Sequence, residues 1–114
     1  MPEKDPLVYV MHIRDCCERI LSYASEAGPE WSSQPMPLDA VCRNLEIIGE
    51  AARKIDPAFR SAHPEVDWQG LIGARNILIH AYESVKPQIV SGIVETNIPA
   101  LLAAAQRILR DADR

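Results

Sequence analysis

The sequence predicts an all-α fold, an up-and-down bundle of four to five helices in one domain spanning residues 1–114. Three observations carry that expectation. Apolar residues recur at helical spacing through most of the chain, and no segment alternates with a period of two. Aromatic residues are only 5% of the total, so the core must come from Leu, Ile, Val and Ala, which favours helix-on-helix packing. Proline and glycine stand between the periodic segments, where helices start and stop.

Each element has its own signals. Asp5-Pro6 is an N-cap followed by a first-turn proline, and Val10, Ile13, Cys17, Ile20, Leu21 and Ala24 then repeat at helical spacing up to Ala27. Gly28-Pro29 stops that helix. Residues 29–37 hold three prolines and two serines and read as a loop, one able to serve as a mobile flap. A second stripe, Leu38, Val41, Cys42, Leu45, Ile48, Ala52 and Ile55, has Asp39, Arg43, Glu46, Glu50 and Lys54 on the other face and ends before Pro57. Residues 58–63 have room for one further turn before His63-Pro64. Asp67 then caps a helix to about Tyr82 whose Leu71, Ile72, Ile77, Leu78 and Ile79 surround most of its circumference, so it is expected to be central. Pro87 and Pro99 can each start a helix, and the two can join as one kinked helix.

Composition excludes several classes. At 114 residues, 47% hydrophobic and 25% charged, the chain has the make-up of an ordinary globular domain. A net charge of -4 gives no overall basic field for nucleic acid, so any RNA contact must be local. There is no glycine-rich phosphate loop and no internal repeat. Cys16, Cys17 and Cys42 are an odd number and lie in apolar patterns, which fits small buried hydrophobes in a reducing compartment. The start MPEKDPLVYV lacks a signal peptide's basic and apolar order, and no 18-residue apolar segment is evident, so a cytoplasmic, membrane-free protein is expected.

The chemistry concentrates in Gly73-Ala-Arg-Asn-Ile-Leu-Ile-His-Ala-Tyr82, where Arg75, Asn76, His80 and Tyr82 stand among aliphatic neighbours and burial without partners would be costly. Asn76 and His80 lie one helical turn apart, so the amide can hydrogen-bond the imidazole and fix its tautomer. Arg75 and Tyr82 share a different side. Bringing Arg75 and His80 together requires the helix to end near His80 or a second copy of the chain to supply one of the groups, and a symmetric dimer is the cheaper solution. The alternative is a polar cluster whose members satisfy one another and nearby carbonyls in a core.

Other constellations are weaker. Glu46 and Glu50, one turn apart, can form a solvated salt-bridge face with Arg43, Arg53 and Lys54, or support Arg75 from the second helix. His12 and Cys16 have a spacing that can bind zinc, but two ligands do not make a structural site, so no metal is expected. Arg53, Lys54, Arg60 and His63 form a modest basic cluster that can guide an RNA backbone or balance a helix dipole.

The order Val41-Cys-Arg-Asn-Leu-Glu-Ile-Ile-Gly-Glu-Ala51, His63-Pro-Glu-Val-Asp-Trp68 and Arg75-Asn-x-x-x-His80-x-Tyr82 resembles the HepT-like family of the HEPN superfamily, over roughly residues 5–110. Ser91-Gly92 and Ala81 depart from residues frequent in that family. The resemblance implies a dimerising helical bundle with Arg75, His80 and Tyr82 lining a cleft between the copies and Asn76 as companion of the arginine. It also implies a toxin paired with a minimal nucleotidyltransferase antitoxin, a ribonuclease needing neither metal nor cofactor, and neutralisation by transfer of AMP to Tyr82. In such a site His80 would act as general base or acid, Arg75 would grip the phosphate, and Tyr82 would hydrogen-bond phosphate or stack on a base. Two other readings stay open: a non-catalytic nucleotide-binding or substrate module for a nucleotidyltransferase, and a plain helical interaction protein.

Overall fold

A computed structural model describes residues 5–113 and contains five helices and no strand among them. The first four residues, which include the acidic and proline-containing start, and residue 114 lie outside the described part.

Helix α1 runs Pro6–Ala27, with the Asp5 carboxylate accepting from Leu7 N at 2.9 Å and Gly28 closing it at φ 90°, a conformation that favours glycine. Helix α2 is Pro35–Lys54, earlier at its start than the sequence suggests. Pro35 and Pro37 fall within its first turn, where the missing N–H groups are not needed. The expected loop therefore shrinks to residues 28–34. A 3-10 turn, Trp31–Ser33, buries Trp31 to 6% exposure and packs on α2 and the start of the last helix.

Helix α3, Pro57–Ala62, is the short extra turn, capped by Asp56, which accepts from Phe59 N at 3.2 Å. The break at His63-Pro64 is tied down by Trp68, whose indole N–H donates to the His63 carbonyl at 2.9 Å. Helix α4 is Trp68–His80, capped by Asp67, and the last helix, α5, is Pro87–Ala112. Within α5 the segments Pro87–Gly92 and Ile98–Ala112 join through a π turn, Ile93–Asn97. The wider turn makes room where the Pro99 ring would strike the Glu95 carbonyl, so proline here bends one helix rather than starting another. Contrary to the sequence reading, α5 is long and apolar enough to cross a membrane by length and mean hydropathy (1.3). Here its stripe Val90, Val94, Ile98, Leu101, Ala105 and Ile108 is buried, with α1 as its main helical neighbour.

The central element is α2, not α4. Helix α2 packs extensively on α1 at one side and on α4 at the other, and buries Val41, Leu45, Ile48, Ala51 and Ala52. Helix α4 buries only Trp68 and Leu78, while Ile77 and Ile79 remain 54% and 41% exposed. An all-round apolar helix needs cover on every side, and this chain covers only one. The cysteines are free, with Cys16 and Cys17 in the core; burial pushes the Cys17 thiol up to about 12 and raises Cys16 and Cys42 as well.

Candidate functional site

Arg75 lies midway along α4 and against α2 because residue 49 is glycine. A Cβ at Gly49 would overlap Arg75 Cβ and come within 2.6 Å of the Leu71 carbonyl oxygen, so only glycine permits this approach. The sequence signal was available, since glycine inside a helix costs about 1 kcal/mol relative to alanine and calls for a packing reason.

The Arg75 guanidinium is held from two directions. Its Nη1 donates to Asn76 Oδ1 at 2.9 Å, and its Nε lies 3.3 Å from Glu50 Oε2, at ion-pair distance but without hydrogen-bond geometry. Glu50 also meets Arg53 at 3.1 Å and Lys54 at 3.9 Å. The Arg53 hydrogen bond, above all, holds the Glu50 carboxyl below its ordinary range, with further pull from the charges of Arg53, Arg75 and Lys54. Three cations thus share one carboxylate, leaving local positive charge on a chain whose net charge is -4. Glu50 is therefore the carboxylate that supports Arg75. Glu46 instead pairs with Arg43 at 3.2 Å on the salt-bridge face.

This geometry fixes the sign of a pH effect. Because the Glu50 carboxyl is depressed in the fold, its contribution is present above the ordinary carboxylate range and is lost as pH falls through the folded value. Glu50→Gln is expected to lower stability at neutral pH by about 0.2–1 kcal/mol, the range for solvent-screened pairs. Thermal unfolding of both proteins against pH checks this: the gap should close on acidification.

His80 is the last residue of α4; it is exposed and makes no hydrogen bond or ion pair among the described residues. The expected Asn76–His80 hydrogen bond does not form, because the Asn76 carbonyl oxygen accepts from Arg75 instead. Tyr82 is 72% exposed and begins a 3-10 turn, Tyr82–Ser84. Two grooves flank the Arg43–Glu46 pair. One, of about 280 Å³, holds Arg75, Glu50 and Lys54 together with Tyr9 and His12 of α1. The other, of about 340 Å³, holds Tyr82 with Leu38, Asp39 and Leu78. His80 lines neither. No hydrogen bond or ion pair joins Arg75, His80 and Tyr82 among the described residues, and the groove that holds Arg75 is lined by neither of the other two.

The weaker constellations resolve by burial. Cys16 points into the core while His12 is exposed, so they do not share a site, and no group of three metal-binding side chains occurs among the described residues. The basic cluster splits: Arg53 and Lys54 belong to Glu50, whereas His63 Nδ1 lies 3.5 Å from Glu65 and its ring packs on Phe59. Sequence reasoning missed Gly49, and it missed Tyr9 and His12 as groove residues.

A family model described as ribonuclease HepT-like matches residues 13–108. A protein of Caldanaerobacter subterraneus subsp. tengcongensis named "Putative RNase" is 33% identical over 108 residues, covering 94% of this chain and 96% of that protein. A "Putative RNase" of Methanocaldococcus jannaschii is 32% identical over 102 residues, or 89% and 94% of the two chains. A "Probable ribonuclease HepT" of Thermococcus cleftensis is 39% identical over 69 residues, or 60% and 63%. No solved structure matches the chain significantly.

Proposed function

The chain belongs to the ribonuclease HepT-like family, and on that premise we propose that it is a metal-independent endoribonuclease and the toxin of a toxin-antitoxin pair. The observation that carries this reading is the placement of Arg75. Its guanidinium is oriented by Glu50 and Asn76 in a groove with surplus positive charge against α2, while the uncovered side of α4 carries exposed Ile77, Ile79 and His80.

Two copies packed through that side would bury Ile77 and Ile79 and set His80 of one copy against Arg75 of the other. In the reaction, the RNA 2'-oxygen attacks the neighbouring phosphorus and the bond to the 5'-oxygen breaks, leaving a cyclic phosphate and a free hydroxyl. His80 moves a proton at one of these oxygens. Arg75 stabilises the charge that grows on the phosphate, with a planar fork suited to two of its oxygens. Neutralisation is by a minimal nucleotidyltransferase. The Tyr82 hydroxyl attacks the α-phosphorus of ATP, pyrophosphate leaves, and AMP remains on the ring. The 72% exposure of Tyr82 suits access by a modifying enzyme, and the new anion would lie in the groove shared with Arg43.

The test is co-expression with the candidate nucleotidyltransferase, followed by intact mass and by growth of cells making each form alone. AMP-sized added mass that disappears in Tyr82→Phe, growth arrest by the unmodified chain, and no arrest by His80→Ala are expected. Modification without arrest would favour a non-catalytic substrate module; neither effect would leave an interaction domain.

A further inference from the structure

Resting on the ribonuclease reading, we infer that Tyr9 and His12 form a base-stacking subsite that seats one nucleotide of single-stranded RNA beside the phosphate held by Arg75. The two residues are three apart on α1, flank the buried stripe begun by Val10 and Ile13, and reach the groove whose floor is α2 and whose far wall is α4. Their rings stand at 87° with centroids 6.0 Å apart, forming a corner in which a planar base stacked on one ring has the other at its edge. Arg75 on the far wall and Lys54 on the floor share the Glu50 carboxylate, and with Arg43 and Glu46 paired to each other the lining keeps one net positive charge, so the polar side attracts a phosphate while the aromatic wall accepts a base. The volume, about 280 Å³, is on the scale of a single nucleotide rather than a duplex. Single-stranded RNA offers exposed base faces and a phosphate at each step, and recognition of that kind combines stacking with a positive groove.

Neither ring belongs to the Arg-His-Tyr set, and both come from the opposite end of the chain. Their place in this groove supplies a role that a His12–Cys16 metal site cannot.

The experiment measures binding of short labelled oligoribonucleotides by fluorescence anisotropy at fixed low salt, on a His80→Ala background so that the RNA stays intact. Tyr9→Ala is expected to raise Kd by about 5- to 150-fold, and Tyr9→Phe to bind like its parent. A single abasic nucleotide moved along the RNA should weaken the parent by a similar factor at one position, and there should weaken Tyr9→Ala no further. His12→Ala, at an exposed position, provides a second variant if Tyr9→Ala fails to fold. Unchanged affinity in folded Tyr9→Ala and His12→Ala, with RNA still bound by the parent, would overturn the subsite and leave the ribonuclease reading intact. A parent that binds no RNA would overturn both.

Discussion

Mixing Arg75→Ala and His80→Ala chains is expected to restore about a quarter of wild-type RNA cleavage, although each variant alone keeps roughly 1% or less. Loss of the arginine should cost roughly 10²–10³ and loss of the histidine roughly 10²–10⁴ in rate, the usual worth of a preorganised charge contact and of a proton-transfer group. In a mixed dimer one of the two sites has lost both groups. The other pairs the intact Arg75 of one copy with the intact His80 of its partner. Random exchange makes about half the dimers mixed, each with one working site. Cleavage of a labelled RNA after co-refolding the two variants measures it. Failure to recover activity would mean that both groups act from the same chain or that the assembly is different. The expectation follows from α4: Arg75 faces α2 and the groove, while His80 ends the helix exposed and without a polar partner among the described residues.

Gly49→Val should be the most damaging substitution away from the reacting groups. The added atoms meet Arg75 Cβ and the Leu71 carbonyl, both close to or part of the α4 backbone, so the helix itself must move. Overpacking of this kind costs about 1–3 kcal/mol. In a domain of this size it should lower Tm by several degrees per kcal/mol. Activity should fall further than stability alone explains, because the shift displaces Arg75, and a misplacement of about 1 Å can cost roughly 100-fold. Gly73→Ala is the control on the facing helix. A Cβ there has nothing within 4 Å, and replacing a mid-helix glycine should raise stability by about 0.5–1 kcal/mol. Thermal unfolding and RNA cleavage of both variants separate the close helix contact from the general effect of a larger residue.

Much of the fold was legible before any coordinates. Asp5-Pro6 and Gly28 define α1 to the residue, and Asp67 was recognisable as the cap of α4, because capping is local chemistry between residues a few positions apart. The Pro29–Pro37 segment misled, since prolines tolerated in a first turn look like loop prolines until the neighbouring helix is known. The apolar circumference of α4 also misled. Periodicity reports that a face wants cover, but not whether this chain or a second copy supplies it.

By itself, then, the sequence determined an all-α bundle, the caps of α1 and α4, and that Arg75, Asn76, His80 and Tyr82 are polar groups set in an apolar segment, because each depends on residue type and short-range spacing. Only the tertiary structure decided that α2 is the centre, that Gly49 brings Arg75 to Glu50 rather than Glu46, and that Tyr9 and His12 share the arginine's groove. It also decided that His80 is exposed and does not line the groove that holds Arg75. These are relations between residues distant along the chain or on different sides of a helix, fixed by how helices pack against one another and not by any local pattern.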